Sequence, residues 1–176
     1  MVDHSNIRVL ISEDSIAQRI GVLALEIAAT KPRKLLVVPV LKGSFMFAAD
    51  LIRAMYRVGL SPDVEFIQLS SYRKSTVSLG QVDIVKNIES AVEDRDVLLL
   101  DDILESGRTL AYAKDLLSAR GAASVLTCVL LEKPHKRAVQ IIPDFVGFEC
   151  PDQFVVGYGM DVAHSLRELP FVGVMI

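Results

Sequence analysis

Residues 97 to 110 read VLLLDDILESGRTL. Asp101, Asp102 and Glu105 place three carboxylates just after an apolar run and just before Ser106, Gly107, Arg108 and Thr109. A Ser-Gly turn that opens a helix is a ready anion site, because the first N–H groups of a helix have no partner inside it. Gly107 lets a phosphate approach the backbone closely, and Ser106 and Thr109 add hydroxyl donors. Acids at this density would repel a bare phosphate. A ligand that carries a phosphate, vicinal hydroxyls and a metal suits them, since carboxylates accept from hydroxyls and hold magnesium through its waters. A phosphorylated sugar meets that description. The stretch by itself leaves open a plainer reading, in which the acids cap a loop and stay solvated.

Such a turn needs a strand before it and a helix after it. DVLLLDD supplies the strand, with 103–107 as the turn, and RTLAYAKDLLSARG supplies a helix ended by Gly121. The VLLL run does not alternate, as expected of a parallel strand buried on both faces, and neither does SVLTCVLLEK further on. Upstream, Ser12 caps a helix with Glu13 and Asp14 in its first turn and Ile16, Ile20, Leu23 and Ile27 at helical spacing. That helix should stop before Lys31-Pro32. KLLVVPVLKGS then reads as a strand, FMFAADLIRAMYRVGL as a helix and DVEFIQLSSY as a strand. Strand and helix in alternation predict an α/β fold, a central and mainly parallel sheet flanked by helices. Ligands of such sheets bind beyond the carboxyl ends of the strands, where Asp101 and Asp102 fall.

RKSTVSLGQ, residues 73–81, is polar and aperiodic, either a plain surface loop or a lid. From 139 to 176 the apolar pieces are broken by Pro143, Pro151, Gly157, Gly159 and Pro170. A small irregular C-terminal hood is expected there, in place of another crossover. The 176 residues suit one domain, with a core over about 8–138 and a hood over about 139–176 that takes in some N-terminal residues.

Apolar residues make up 51% and charged residues 23% of the chain, which is the composition of a core-rich globular protein. A net charge of −3 argues against a nucleic-acid binder, which needs surplus Lys and Arg to displace counterions. Cys128 and Cys150 are too few for a disulfide framework, and Cys128 reads as a small buried hydrophobe. The start MVDHSNIRVLISEDS lacks a basic segment followed by an apolar block, and no apolar run approaches the ~20 residues of a membrane span. A cytoplasmic, reduced setting with no membrane partner is expected. No histidine pair has metal-ligand spacing.

Four apolar residues, two acids, two apolar residues, an acid and then Ser-Gly-Arg-Thr resemble the phosphoribosyl-pyrophosphate signature of type I phosphoribosyltransferases. From about residue 8 onward the chain resembles their hypoxanthine-guanine branch. VPVLKGSFMFAADL is similar to its first loop, which implies that Leu41, Lys42 and Gly43 bind pyrophosphate through backbone amides. Family members hold the Leu-Lys peptide in cis form. SSYRKST is similar to the mobile-loop signature, which implies that Ser71 and Tyr72 close over the reaction centre. LLEKPHKRAV implies that Lys133 donates to the purine O6, which suits a 6-oxopurine and not adenine, because an ammonium only donates. PDFVGFECPDQFVVGYGMD implies that Phe154 stacks on the purine, that the Val155 backbone reads its edge, and that Asp161 holds a magnesium ion. Arg167 matches a position that contacts pyrophosphate.

The resemblance implies transfer of a phosphoribosyl group to hypoxanthine or guanine, giving IMP or GMP and pyrophosphate with Mg2+ as cofactor. Asp101 and Asp102 would position the ribose hydroxyls and serve as metal and catalytic groups, while residues 105–109 would grip the 5′-phosphate. Glu105 matches the general base that takes the purine N7 proton. Most members carry Asp there, and the added methylene moves the carboxylate by about 1.5 Å. A homodimer or homotetramer is implied by the resemblance alone. Two rivals stand beside this reading: a non-catalytic regulator that senses the sugar diphosphate, and an enzyme that prefers xanthine.

Overall fold

The computed structural model describes residues 6–71 and 82–176. Among them, three α-helices, ten strands and one short 3-10 helix (Pro134–Lys136, after β7) follow in the order β1 (Ile7–Ile11), α1 (Glu13–Ala29), β2 (Leu36–Leu41), α2 (Phe45–Arg57), β3 (Asp63–Val64), β4 (Ile67–Ser71), β5 (Val82–Lys86), β6 (Asp96–Leu104), α3 (Arg108–Ala119), β7 (Ser124–Glu132), β8 (Phe145–Glu149), β9 (Val155–Val156) and β10 (Val172–Met175).

The helices start and stop where their sequences dictate. The Ser12 hydroxyl accepts from the Ser15 N–H at 3.2 Å, and α1 buries Ile16, Ile20, Leu23, Ala24 and Ile27 along one stripe. Phe47, Ala48, Leu51, Ala54 and Met55 of α2 are buried against the same core, while Phe45 stays partly exposed at its start. Val37, Leu98 and Leu100 face this cluster; Leu36, Val38, Val97 and Leu99 face a second one, which packs on α3. Successive residues of a strand point to opposite faces, so a strand sandwiched between two cores must be apolar at every position.

The main sheet runs β5-β4-β2-β6-β7-β8, with β3 also on β2. Its central pairings are parallel, and only β5 runs antiparallel, against β4. The carboxyl ends of β2, β6 and β7 therefore share one edge of the molecule. A second sheet, β1-β10-β9, is antiparallel and ties residues 7–11 to the C-terminus.

Three details differ from the sequence reading. The strand expected over 63–72 is divided, because β3 pairs with the start of β2 and β4 with its end. The strand expected to stop at Asp102 continues to Leu104, since Ile103 and Leu104 pair with Leu131 and Glu132 of the equally long β7. Asp101 and Asp102 thus sit inside the last turn of the ladder, and the free turn is shorter. The tail also contributes a crossover that its broken pattern concealed: β8 lies parallel to β7. The Asp144 carboxylate locks that register by accepting from the Thr127 N–H and hydroxyl at 2.8 and 2.9 Å.

Among the described residues no helix is long and apolar enough to cross a membrane. Both cysteines are free and buried, and burial pushes both thiols above their ordinary pKa.

Candidate active site

Each segment that leaves the shared carboxyl edge brings chemistry with it. Lys42 and Gly43 follow β2, Glu105 to Thr109 follow β6, and Lys133 follows β7. Segment 153–167, next to the small sheet, closes the opposite side. Leu41, Lys42, Gly43, Asp101, Asp102, residues 105–109, Lys133, Phe154, Val155, Asp161 and Arg167 all line one cavity of about 820 Å³, a volume typical of a small-molecule site. Ser71 ends β4, and Tyr72 lies outside the described residues, as do 73–81.

The turn after β6 is built to present amides. Gly107 adopts φ +81°, and a Cβ there would stand 2.8 Å from Ile141 Cγ2 and 3.0 Å from the Val139 carbonyl oxygen. Only glycine meets both demands cheaply. The Gly107 carbonyl accepts from Ala111 N–H at 2.9 Å, which starts α3. Among the described residues, the amides of Ser106, Gly107, Thr109 and Leu110 have no protein acceptor, and that of Arg108 only approaches Ser106 Oγ at 3.4 Å.

Asp101 is 7% exposed and Asp102 half-buried. Burial raises the Asp101 pKa well above the ordinary carboxylate range, and the neighbouring Asp102 charge adds to the effect; burial also raises Asp102. An acid pair that dislikes its own charge invites hydroxyl donors or a cation. Gly43 explains how the first loop comes so close: a Cβ on it would overlap the Asp102 carboxylate. The Leu41–Lys42 peptide is cis.

Lys133 is 4% exposed, and its ammonium donates to Glu105 Oε1 at 2.6 Å and to the Gln153 carbonyl oxygen at 2.9 Å. An ammonium has three donors, so among the described residues one is left for a ligand. Phe154 is 59% exposed and lines the cavity, while Val155 is buried in β9. Arg167 pairs with Asp161 Oδ1 at 2.8 Å and donates to the Gly159 carbonyl oxygen at 2.6 Å; Asp161 Oδ2 accepts the His164 N–H at 2.8 Å.

Two contributors escaped the sequence reading. The Gln153 carbonyl anchors Lys133, a backbone role that no residue type signals. Arg137 lies behind the turn rather than in the cavity, and no periodicity in EKPHKR marks it.

Comparison with known proteins agrees with this geometry. The phosphoribosyl transferase domain pattern matches residues 12–163. The chain is 43% identical over 179 residues to the hypoxanthine-guanine phosphoribosyltransferase of Bacillus subtilis, covering 99% of this chain and 96% of that protein. It is 45% identical over 174 residues to the bifunctional protein TilS/HprT of Listeria innocua, covering 98% of this chain and 26% of that protein. The chain therefore spans about a quarter of the length of those bifunctional relatives. A crystal structure of a hypoxanthine phosphoribosyltransferase from Staphylococcus aureus superposes with a TM-score of 0.92 at 37% identity, covering 100% of this chain and 95% of that one. The α/β sheet, the amide-lined turn and these likenesses agree: the chain belongs to the phosphoribosyl transferase domain family, in its hypoxanthine-guanine phosphoribosyltransferase branch.

Proposed function

We propose that the chain is a purine-salvage transferase that joins hypoxanthine or guanine to 5-phospho-α-D-ribose 1-diphosphate, releasing IMP or GMP and pyrophosphate. The observation that carries this reading is the row of amides after β6 with no acceptor among the described residues, set beside the buried Asp101, the half-buried Asp102 and Lys133 in one cavity.

In this reading residues 105–109 hold the 5′-phosphate, and Asp101 and Asp102 accept hydrogen bonds from the ribose hydroxyls. Anchoring the sugar at its far end fixes C1′ for attack. The bond from C1′ to the diphosphate oxygen breaks, its electron pair leaves with the diphosphate, and purine N9 bonds to C1′. Glu105 takes or shares the N7 proton of the purine. The free donor of Lys133 bonds O6, Phe154 stacks on the ring and the Val155 backbone meets its edge. Leu41, Lys42, Gly43 and Arg167 hold the leaving group. Ser71 and Tyr72 would close over the centre and keep water from the cationic sugar.

The donor chemistry fits magnesium. Asp101, Asp102 and Asp161 offer oxygen alone and line one cavity, and among the described residues no three acidic, histidine or cysteine side chains gather into one cage. A cation that keeps several waters and takes substrate oxygens suits such a set. When bound, magnesium would neutralise charge on the diphosphate. We further propose one domain divided into core and hood, a cytoplasmic setting in keeping with two free cysteines, and a homodimer or homotetramer.

Steady-state release of pyrophosphate with hypoxanthine, guanine, xanthine and adenine tests the reading. Magnesium-dependent turnover with the first two is expected. No purine-dependent release, or a preference for adenine, would overturn it.

A further inference from the structure

Three successive carbonyls at the turn after β6 are held from one side, by segment 133–139. Leu104 O accepts from Lys133 N–H at 3.0 Å and from Arg137 Nη1 at 2.8 Å. Glu105 O accepts from the same Nη1 at 2.7 Å, and Ser106 O accepts from Ala138 and Val139 N–H at 2.9 and 3.0 Å. The guanidinium is itself held by Glu132, whose Oε1 accepts from Nη2 at 2.6 Å. A trans peptide sets its N–H opposite its C=O. Three consecutive carbonyls turned toward segment 133–139 therefore turn the N–H groups of Glu105, Ser106 and Gly107 away from it.

The Glu105 carbonyl is the centre of this arrangement. Arg137 alone satisfies it among the described residues, whereas Leu104 O and Ser106 O also have backbone donors. Its peptide carries the Ser106 amide on one side, and its residue carries the carboxylate that meets Lys133 on the other. A planar fork fixed by a half-buried acid is suited to hold two adjacent carbonyls at once; a lysine ammonium at the end of a flexible stem is not.

We propose that Arg137 is a positioning residue: from behind the cavity it orients the peptide planes after β6, and so sets how tightly the 5′-phosphoryl group is held. The proposal rests on the functional reading given above. It assigns Arg137 no contact with substrate.

The test compares binding of IMP and of inosine by calorimetry, in the parent and in Arg137→Met. The ratio of the two affinities isolates the phosphoryl group. The parent should prefer IMP, and the variant should lose about tenfold of that preference while inosine binding stays within about twofold. A parent with no preference for IMP sinks the functional reading and this proposal with it. A parent that prefers IMP, with a variant whose ratio is unchanged or whose two affinities fall equally, overturns the role of Arg137 alone. If circular dichroism shows Arg137→Met unfolded, Arg137→Lys decides by the same ratio, since it keeps charge and stem and loses the fork.

Discussion

The two ends of the cavity are made of different material. After β6 the protein offers peptide amides, held by hydrogen bonds from a segment nearly thirty residues later in the chain. At Lys133 and Phe154 it offers side chains, one almost wholly buried and ion-paired and the other largely exposed. The amide end is specified by what backbone geometry permits, so most side chains in the turn tolerate change, and glycine at 107 does not. The side-chain end is specified by chemical type, and conservative changes there alter what is recognised. Amides suit a group common to all substrates of this reading. Side chains suit the part that must be told apart.

Four changes sharpen or break this contrast. Glu105→Gln should act most strongly, because it removes the proposed proton acceptor and the negative charge that pairs with Lys133 together; turnover is expected to fall by about 100-fold or more while IMP binding is largely kept. Turnover near that of the parent would remove Glu105 from the chemistry. Gly107→Ala strikes the amide end. The left-handed backbone and the contacts with Ile141 and Val139 should raise KM for the sugar diphosphate by about tenfold, with KM for the purine little changed. An equal rise in both KM values would show that the two ends are not separable.

Phe154→Ala is expected to weaken purine binding by about fivefold, in keeping with an aromatic stacking energy near 1 kcal/mol. Because the ring is mostly exposed, Tm should not move, and a clear loss of Tm would make Phe154 a packing residue instead.

Asp101 belongs to neither end. Its folded-state pKa is raised, so ionisation costs the folded state more than the unfolded one. Asp101→Asn should therefore raise Tm at neutral pH by about 2–4 °C for each kcal/mol regained, at the cost of turnover. The advantage should shrink as pH falls toward the ordinary carboxylate pKa near 4 and vanish below it, where both states hold the proton. A variant that melts below the parent at pH 7 would show the buried charge to be compensated.

Much of the architecture was legible from local pattern. The cap at Ser12, the apolar stripe of α1 and the unbroken run of β6 each follow from rules that act over a few residues. Strand β8 was not, because Gly147 and its short apolar pieces carry a weak signal and its register comes from Asp144 reaching Thr127 across the sheet. Residues 101–109 were named from residue type and spacing, and the others that gather in the cavity through the resemblance to the phosphoribosyltransferase family. Their arrangement was not visible: nothing in the sequence shows that Glu105 would spend its longer side chain on Lys133, or that Gly43 would lie against Asp102.

By itself, then, the sequence determined which groups are available and roughly where each stands along its own strand or helix, since capping, periodicity and turn chemistry operate between near neighbours. Only the tertiary structure decided which way those groups face. The direction of the turn's amides is settled by Arg137 and its neighbours, which the parallel pairing of β6 with β7 brings beside the carbonyls. Hydrogen bonds between distant segments have no period, so no local pattern can announce them.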